Sequence, residues 1–155
     1  MLQHDRQVKA IRTFATKKTL DAIERLQKDE PEAMRTLWAE VGAVLKEGLA
    51  RGYIPGPRMQ VSGRPITCTG GHFHFCNEVA DGEGEIRRSV RRLVHEGADY
   101  IKVMASGGGT AGTIPGAATY TTDELHAAVH EAHHFHRLTA AHCRAKESMV
   151  RAVEA

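Results

Sequence analysis

The sequence has few cysteines, little net charge and no long apolar run. Its three cysteines, Cys68, Cys76 and Cys143, are odd in number and include no C-x-x-C pair, which argues against a disulfide framework or a cysteine-rich zinc site. No apolar stretch is long enough for a signal peptide or a membrane span, so we expect no membrane partner. The formal net charge of +2 is dispersed, which argues against a nucleic-acid partner. We therefore expect a cytoplasmic globular protein.

The first third of the chain predicts helices and no strand. Apolar residues at helical spacing predict helices over residues 19–28 and 36–49. Glycines and prolines between residues 52 and 57 then interrupt the chain. The N-terminal part is therefore predicted to be a helical segment ahead of a different architecture.

Strands and helices alternate after this break. Predicted strands cover residues 58–62, 100–105 and 137–142, and predicted helices cover residues 86–96, 122–136 and 147–154. Alternation at a pitch of roughly 40 residues indicates βαβ units with a parallel sheet, and a closed (β/α)8 barrel of this kind needs about 250 residues. The 155 residues therefore predict an α/β fold that forms part of a barrel.

Lys102 lies in the middle of the short apolar strand that begins at Tyr100. Alternation along the strand puts Ile101 and Val103 on one face and Lys102 with Met104 on the other. Burial lowers the pKa of a lysine, and a neutral amine can add carbon dioxide to form a carbamate, which is an anionic oxygen ligand for metals. The alternative is an edge strand, or a lysine whose ammonium reaches solvent.

Two histidines lie at or after the ends of other segments of the predicted sheet. His142 ends the strand after that of Lys102, and His72 follows the glycines 70 and 71 after an earlier segment. In a parallel barrel all three side chains are expected at the same carboxyl rim, where active sites of such barrels lie. The alternative for His142 alone is a histidine at a helix entry or a hydrogen-bonded core histidine.

Two further motifs are weaker. His130, Glu131 and His134 form H-E-x-x-H, a zinc protease pattern, but a helical wheel turns the two histidines away from the apolar stripe that includes Leu125 and Ala132. Glycines 107, 109 and 112 satisfy G-x-G-x-x-G, yet no helix begins within the motif as a dinucleotide site requires. We expect a solvated histidine face and a flexible loop.

Several segments taken in order resemble the amidohydrolase superfamily, specifically its imidazolonepropionase-like and Xaa-Pro-dipeptidase-like branch. The resemblance covers residues 43–155, preceded by a divergent helical segment, residues 1–42. The segments that carry it are Gly56-Pro57-Arg58, Thr69-Gly70-Gly71-His72, Gly97-Ala98-Asp99 with Ile101-Lys102-Val103, Ser106-Gly107-Gly108 and Ala140-Ala141-His142.

The resemblance implies a (β/α)8 barrel with a metal centre, commonly of two zinc ions. By this resemblance Lys102 matches the carboxylated lysine that bridges the metals, His142 matches a histidine ligand, and His72 lines the substrate pocket. The implied reaction is hydrolysis of a C–N bond in a small-molecule amide or dipeptide substrate.

The sequence also departs from the family pattern. The first ligand pair, H-x-H after the first strand, is missing, and the proton-shuttle aspartate is expected beyond Ala155. We therefore expect a fragment that binds zinc weakly, is inactive alone and self-associates through the open edges of a partial barrel. The alternative from another class is a non-catalytic barrel fragment that acts as an assembly module.

Overall fold

A computed structural model describes residue 29 and residues 31–155 of the chain. Within them, four helices and four strands follow one another as α1 (Pro31–Ala50), β1 (Ile66–Thr67), β2 (Glu78–Val79), α2 (Gly82–His95), β3 (Tyr100–Met104), α3 (Thr122–His134), β4 (Leu138–His142) and α4 (Lys146–Glu154). The strands form one sheet in the order β2-β1-β3-β4, and every pairing is parallel. The predicted parallel α/β fold is confirmed.

The core lies between β3 and the helices that cover one face of the sheet. Ile101 in β3 and Val90 and Leu93 in α2 are completely buried, and Leu125 in α3 belongs to the same cluster. Burying each of these side chains stabilises the fold by about 1.5–3 kcal/mol. The other face of β3, which carries Lys102, faces an open cleft.

Local sequence determines where the two covering helices begin and end. Helix α3 begins with a capping box, in which the Thr121 hydroxyl accepts from the Glu124 amide and the Glu124 carboxylate accepts from the Thr121 amide. Helix α2 is followed by Gly97, whose φ of 92° continues the chain in the left-handed region that suits glycine. Both features belong to local sequence signals, because Thr121 with Glu124 and the glycine at residue 97 are residue types typical of a helix start and a helix end.

Three expectations for the N-terminal half have different outcomes. The helix predicted over residues 36–49 is confirmed inside α1, whereas the helix predicted over residues 19–28 lies outside the described residues. The strand predicted over residues 58–62 is wrong, and the strand that pairs with β3 is β1 instead.

No helix in the described part of the chain has the length and apolar character needed to cross a bilayer.

The false strand has a physical explanation in Asp99, the residue before β3. The Asp99 amide donates to the Val61 carbonyl at 2.8 Å, and the Val61 amide donates to the Asp99 carboxylate at 2.8 Å. The same carboxylate lies 2.6 Å from the Lys46 ammonium of α1. The backbone around residue 61 therefore bonds to a loop residue rather than to a strand, and α1 is joined to the sheet at the same point.

Candidate active site

An open cleft of about 940 Å³ lies at the carboxyl ends of the parallel strands. In parallel α/β folds ligands bind at this end, because the loops that leave the strands converge there. Lys102 and Met104 reach the cleft from β3, and His142 reaches it from β4. The remaining lining residues come from loops: His72, Phe73, His74, Phe75, Gly109, Thr110, Ala111 and Arg144.

Lys102 and His142 share one face of the sheet. Lys102 pairs with Ala140, and Met104 pairs with His142, so alternation turns the side chains of all four residues to the same side. Ile101 and Val103, which have the opposite parity, are buried against the helices. The predicted orientation of Lys102 therefore agrees with the structure, and its position beside His142 follows from strand register.

Burial acts on the charge of both side chains. Desolvation lowers the pKa of Lys102, and a neighbouring Cys143 opposes this effect. Desolvation also lowers the pKa of His142, and the positive charges of Lys102 and Arg144 lower it further. Both side chains are therefore biased towards their neutral forms, in which nitrogen carries a lone pair.

The His142 ring has one unsatisfied nitrogen. Its Nε2 atom is buried and has no hydrogen-bond partner among the described residues. A buried polar atom without a partner is costly, and a metal ion is one group that satisfies an imidazole nitrogen. Residues 29 and 31–155 contain no group of three or more His, Cys, Asp or Glu side chains that could hold a metal. His142 Nε2 is thus one nitrogen that is available to a metal ligand set, and the described residues do not complete such a set by themselves.

His72 packs directly against His142. The two rings are stacked with centroids 4.9 Å apart and planes 27° apart, and His72 is 6% exposed. Its Nδ1 atom lies 2.8 Å from the Thr110 hydroxyl, which also accepts from the Phe73 amide at 3.0 Å. The structure therefore brings together all three predicted site residues, and Thr110 fixes the third.

Gly108 lets the loop after β3 approach the His72 ring. A Cβ atom at this position would lie 2.3 Å from Cε1 and 2.4 Å from Nε2 of His72. No real Cβ makes contacts this short, so a side chain here requires the ring or the loop to move. Sequence inspection placed Gly108 in a flexible loop, whereas the structure gives it a packing role in the site.

Ser106 joins the loop after β3 to the loop after β4. Its buried hydroxyl donates to the Gly107 carbonyl at 3.0 Å and accepts from the Arg144 amide at 2.8 Å. Sequence reasoning missed this role and that of Thr110. Ser106 was within a family-like segment, but nothing in the local sequence around Thr110 indicated a contact with His72.

The H-E-x-x-H motif lies outside the cleft, on α3. His130 and His134 are exposed, while Glu131 is 4% exposed and bound by Arg91 at 2.6 Å and by Arg87 at 3.4 Å. A zinc protease needs the two histidines and the glutamate to meet at one metal in a cleft. The structure does not support that alternative. The glycine motif likewise ends in a loop, because α3 begins only at Thr122.

A model of the amidohydrolase family matches residues 28–155. Among solved structures, the chain is similar to an amidohydrolase with 36% identity and a TM-score of 0.67, covering 72% of this chain and 32% of that one. It is also similar to a Xaa-Pro dipeptidase with methionine bound in its active site, with 27% identity and a TM-score of 0.69, covering 76% of this chain and 32% of that one. The ochratoxinase of A. niger has 29% identity and a TM-score of 0.67, with coverage of 73% and 32%.

A shorter stretch is similar to a protein of another kind. Over 49 residues the chain is 55% identical to the chaperone protein HtpG of Mycobacterium tuberculosis, and the match covers 32% of this chain and 8% of the chaperone. The chain therefore spans about a third of the length of the similar enzymes, each covered to 32%, and a small part of the chaperone.

Proposed function

This chain belongs to the amidohydrolase family, and from that membership we propose that it forms part of a metal-dependent hydrolase of amide or peptide-like C–N bonds. The observation that carries the proposal is the position of Lys102 and His142 on one face of adjacent strands, with His142 Nε2 lacking a hydrogen-bond partner among the described residues. Among the described residues, the half-buried Lys102 and His142 lie near each other and no acidic side chain shifts the pKa of either of them, an arrangement that a purely structural role does not explain.

In the proposed site, a carbamate on Lys102 and Nε2 of His142 would hold zinc. The lowered pKa of Lys102 supports this role, because more of the amine is neutral and able to add carbon dioxide near neutral pH. The carbamate also replaces a positive charge near His142 by a negative one, which favours a divalent cation. Zinc, when bound, supplies Lewis acidity at the carbonyl of the scissile amide.

The proposed substrate is a small-molecule amide or a dipeptide. His72 is proposed to contact it from the pocket wall, where the rings of Phe73 and Phe75 offer apolar surface. No Asp or Glu is among the described residues that line the cleft, so the cleft suits neutral or anionic groups. The name of the similar Xaa-Pro dipeptidase supports the dipeptide class. The proton-shuttle residue is not assigned to this chain.

We expect the protein that combines this chain with the remaining strands of the barrel to hydrolyse dipeptides and N-acyl amino acids. Hydrolysis should stop on treatment with a chelator and return on addition of zinc, because the metal supplies part of the catalysis. Release of free amine from a substrate panel measures the rate. His142→Gln should lose the activity, whereas His134→Gln, an exposed histidine outside the cleft, should keep it. Hydrolysis that persists without metal would contradict the proposal.

A non-catalytic assembly module is the second candidate, and the edge of β4, which within the described residues pairs on one side only, favours it. Under either candidate we expect self-association or pairing with a complementary chain. Within the described part of the chain, β4 pairs only with β3. Leu138 of β4 is 76% exposed and Val153 of α4 is 88% exposed. An unpaired edge beside apolar surface favours pairing with a further strand. Light scattering should find species larger than a monomer, and a compact monomer with cooperative thermal unfolding would argue against this expectation.

The division into residues 1–42 and 43–155 also remains a proposal. Helix α1 runs through residue 42, and Lys46 in its second half bonds to Asp99. The proposed cellular location is the cytoplasm, because Cys68 and Cys143 are free thiols and reduced cysteines are usual there.

A further inference from the structure

Helix α3 carries a group of exposed histidines that the proposed hydrolase does not use. Half of the ten histidines of the sequence lie between residues 126 and 136, and all five are exposed: His126, His130, His133, His134 and His136. None of them lines the cleft. Two of these histidines lie close enough together to bind a ligand jointly.

The pair consists of His126 and His130. His126 and His130 are one helical turn apart, and their ring centroids are 5.9 Å apart with planes at 32°. The next histidine in the same row, His134, instead packs its ring edge-on against Phe135 at 5.2 Å. The structure thus places the first two imidazoles next to each other, whereas the third packs against Phe135.

We propose that His126 and His130 form a surface chelate for one divalent first-row transition-metal ion, with water in the remaining positions. Imidazole is the commonest protein ligand for such ions, and histidines at this spacing are the pair that holds zinc in H-E-x-x-H helices. No third His, Cys, Asp or Glu of the described residues completes a larger group here. With two protein ligands, the site favours the ions that bind imidazole most strongly, Ni²⁺ and Cu²⁺.

Arg87 is the group that competes with the metal. Its guanidinium lies 3.4 Å from Nδ1 of His130, a long contact that an ion displaces at little cost. The same guanidinium lies 3.4 Å from Glu131 and 3.9 Å from Glu83, so two carboxylates offset its charge next to the site. The electrostatic surroundings therefore permit a cation beside His130.

A bound ion would link two successive turns of α3. Because both ligands are brought together only when the helix is formed, the ion binds the folded chain better than the unfolded chain and raises its stability. This gives a readout that does not depend on any enzymatic activity, and the site is independent of the proposed hydrolase.

The test is a calorimetric titration of the chain with Ni²⁺, which does not oxidise thiols, at about pH 7.5, because protons compete with metal ions for imidazole nitrogens. His126→Gln and His130→Gln should each weaken binding by about tenfold or more, since even a change in the outer shell of a metal site costs about that much. His134→Gln is the matched control and should bind Ni²⁺ like the unsubstituted chain. Ni²⁺ should raise the unfolding midpoint of that control but not of His126→Gln.

All measurements are repeated in a His142→Gln background, which removes the imidazole of the cleft. Binding that keeps its dependence on His126 and His130 there supports the site on α3. Binding that disappears with His142 belongs to the cleft and overturns the proposal. Equal weakening by His134→Gln, or unchanged binding in His126→Gln, would overturn it as well.

Discussion

Replacing Lys102 by alanine should lower the rate of amide hydrolysis at least about a hundredfold. The rate is that of the protein in which this chain is combined with the remaining strands of the barrel. Loss of an outer-shell partner of a metal costs about 10- to 100-fold, and Lys102 is proposed to contact the metal itself through its carbamate. Rates of amine release for the two proteins measure the effect. Lys146→Ala, which removes an exposed lysine at the start of α4, should leave the rate unchanged.

A short carboxylic acid should partly restore the activity of Lys102→Ala. The acid fits the space left by the truncated side chain and provides the oxygen ligand that the carbamate would have provided. The restored rate should depend on acid concentration and should be absent in His142→Gln, because that variant lacks the other proposed ligand. Full activity in Lys102→Ala without any acid would show that the assignment of Lys102 is wrong.

Replacing Gly108 by alanine should disturb the site without any change of charge. The new methyl group would meet the His72 ring at 2.3 Å, and such overpacking costs about 1–3 kcal/mol of unfolding free energy. The ring should leave Thr110 and His142, which shifts the NMR resonances of His72. Denaturant unfolding and NMR of the chain itself measure both effects.

Gly109→Ala is the control for this prediction. A Cβ at residue 109 has no heavy atom within 4 Å, so the change should not destabilise the chain and should stabilise it by at most about 1 kcal/mol through the unfolded state. Equal stability of both variants, with unchanged His72 resonances, would mean that the loop after β3 adapts freely. That result would remove the packing role assigned to Gly108.

The sequence contained enough information for the elements with strong local patterns. The capping box at Thr121, the glycine after α2 and the alternation around Lys102 all follow from chemistry within a few residues. The resemblance to amidohydrolases is confirmed by the family match, and the α/β class with a partial parallel barrel is confirmed by the sheet and by the similar structures.

The parts that sequence inspection missed depend on contacts between distant residues. β1 and β2 have two residues each, which is too short for any periodic pattern, and they form only because Ile66 pairs with both Glu78 and Val103. The Thr110 hydroxyl lies 38 residues from the imidazole that it contacts. Loop conformations of this kind are set by tertiary packing rather than by local propensity.

The arrangement of the site residues was only partly predictable from the sequence. Strand register brings Lys102 and His142 to one face, as expected for neighbouring strands of a parallel sheet. The stacking of His72 on His142 was not predictable, because it requires the loop after β1 to fold back over β4. The chemical roles of these residues remain predictions, and the variants above decide them.

The bond network of Asp99 gathers contacts from helix α1 and from the loop after it onto one carboxylate. The Asp99 carboxylate accepts hydrogen bonds from the amide of residue 61 and from the Lys46 ammonium. Asp99 lies three positions before Lys102. Any preceding helix that offers a single cation at that point meets the same requirement. A helix of different sequence could therefore precede this strand while the bonds from Asp99 to residue 61 stay in place.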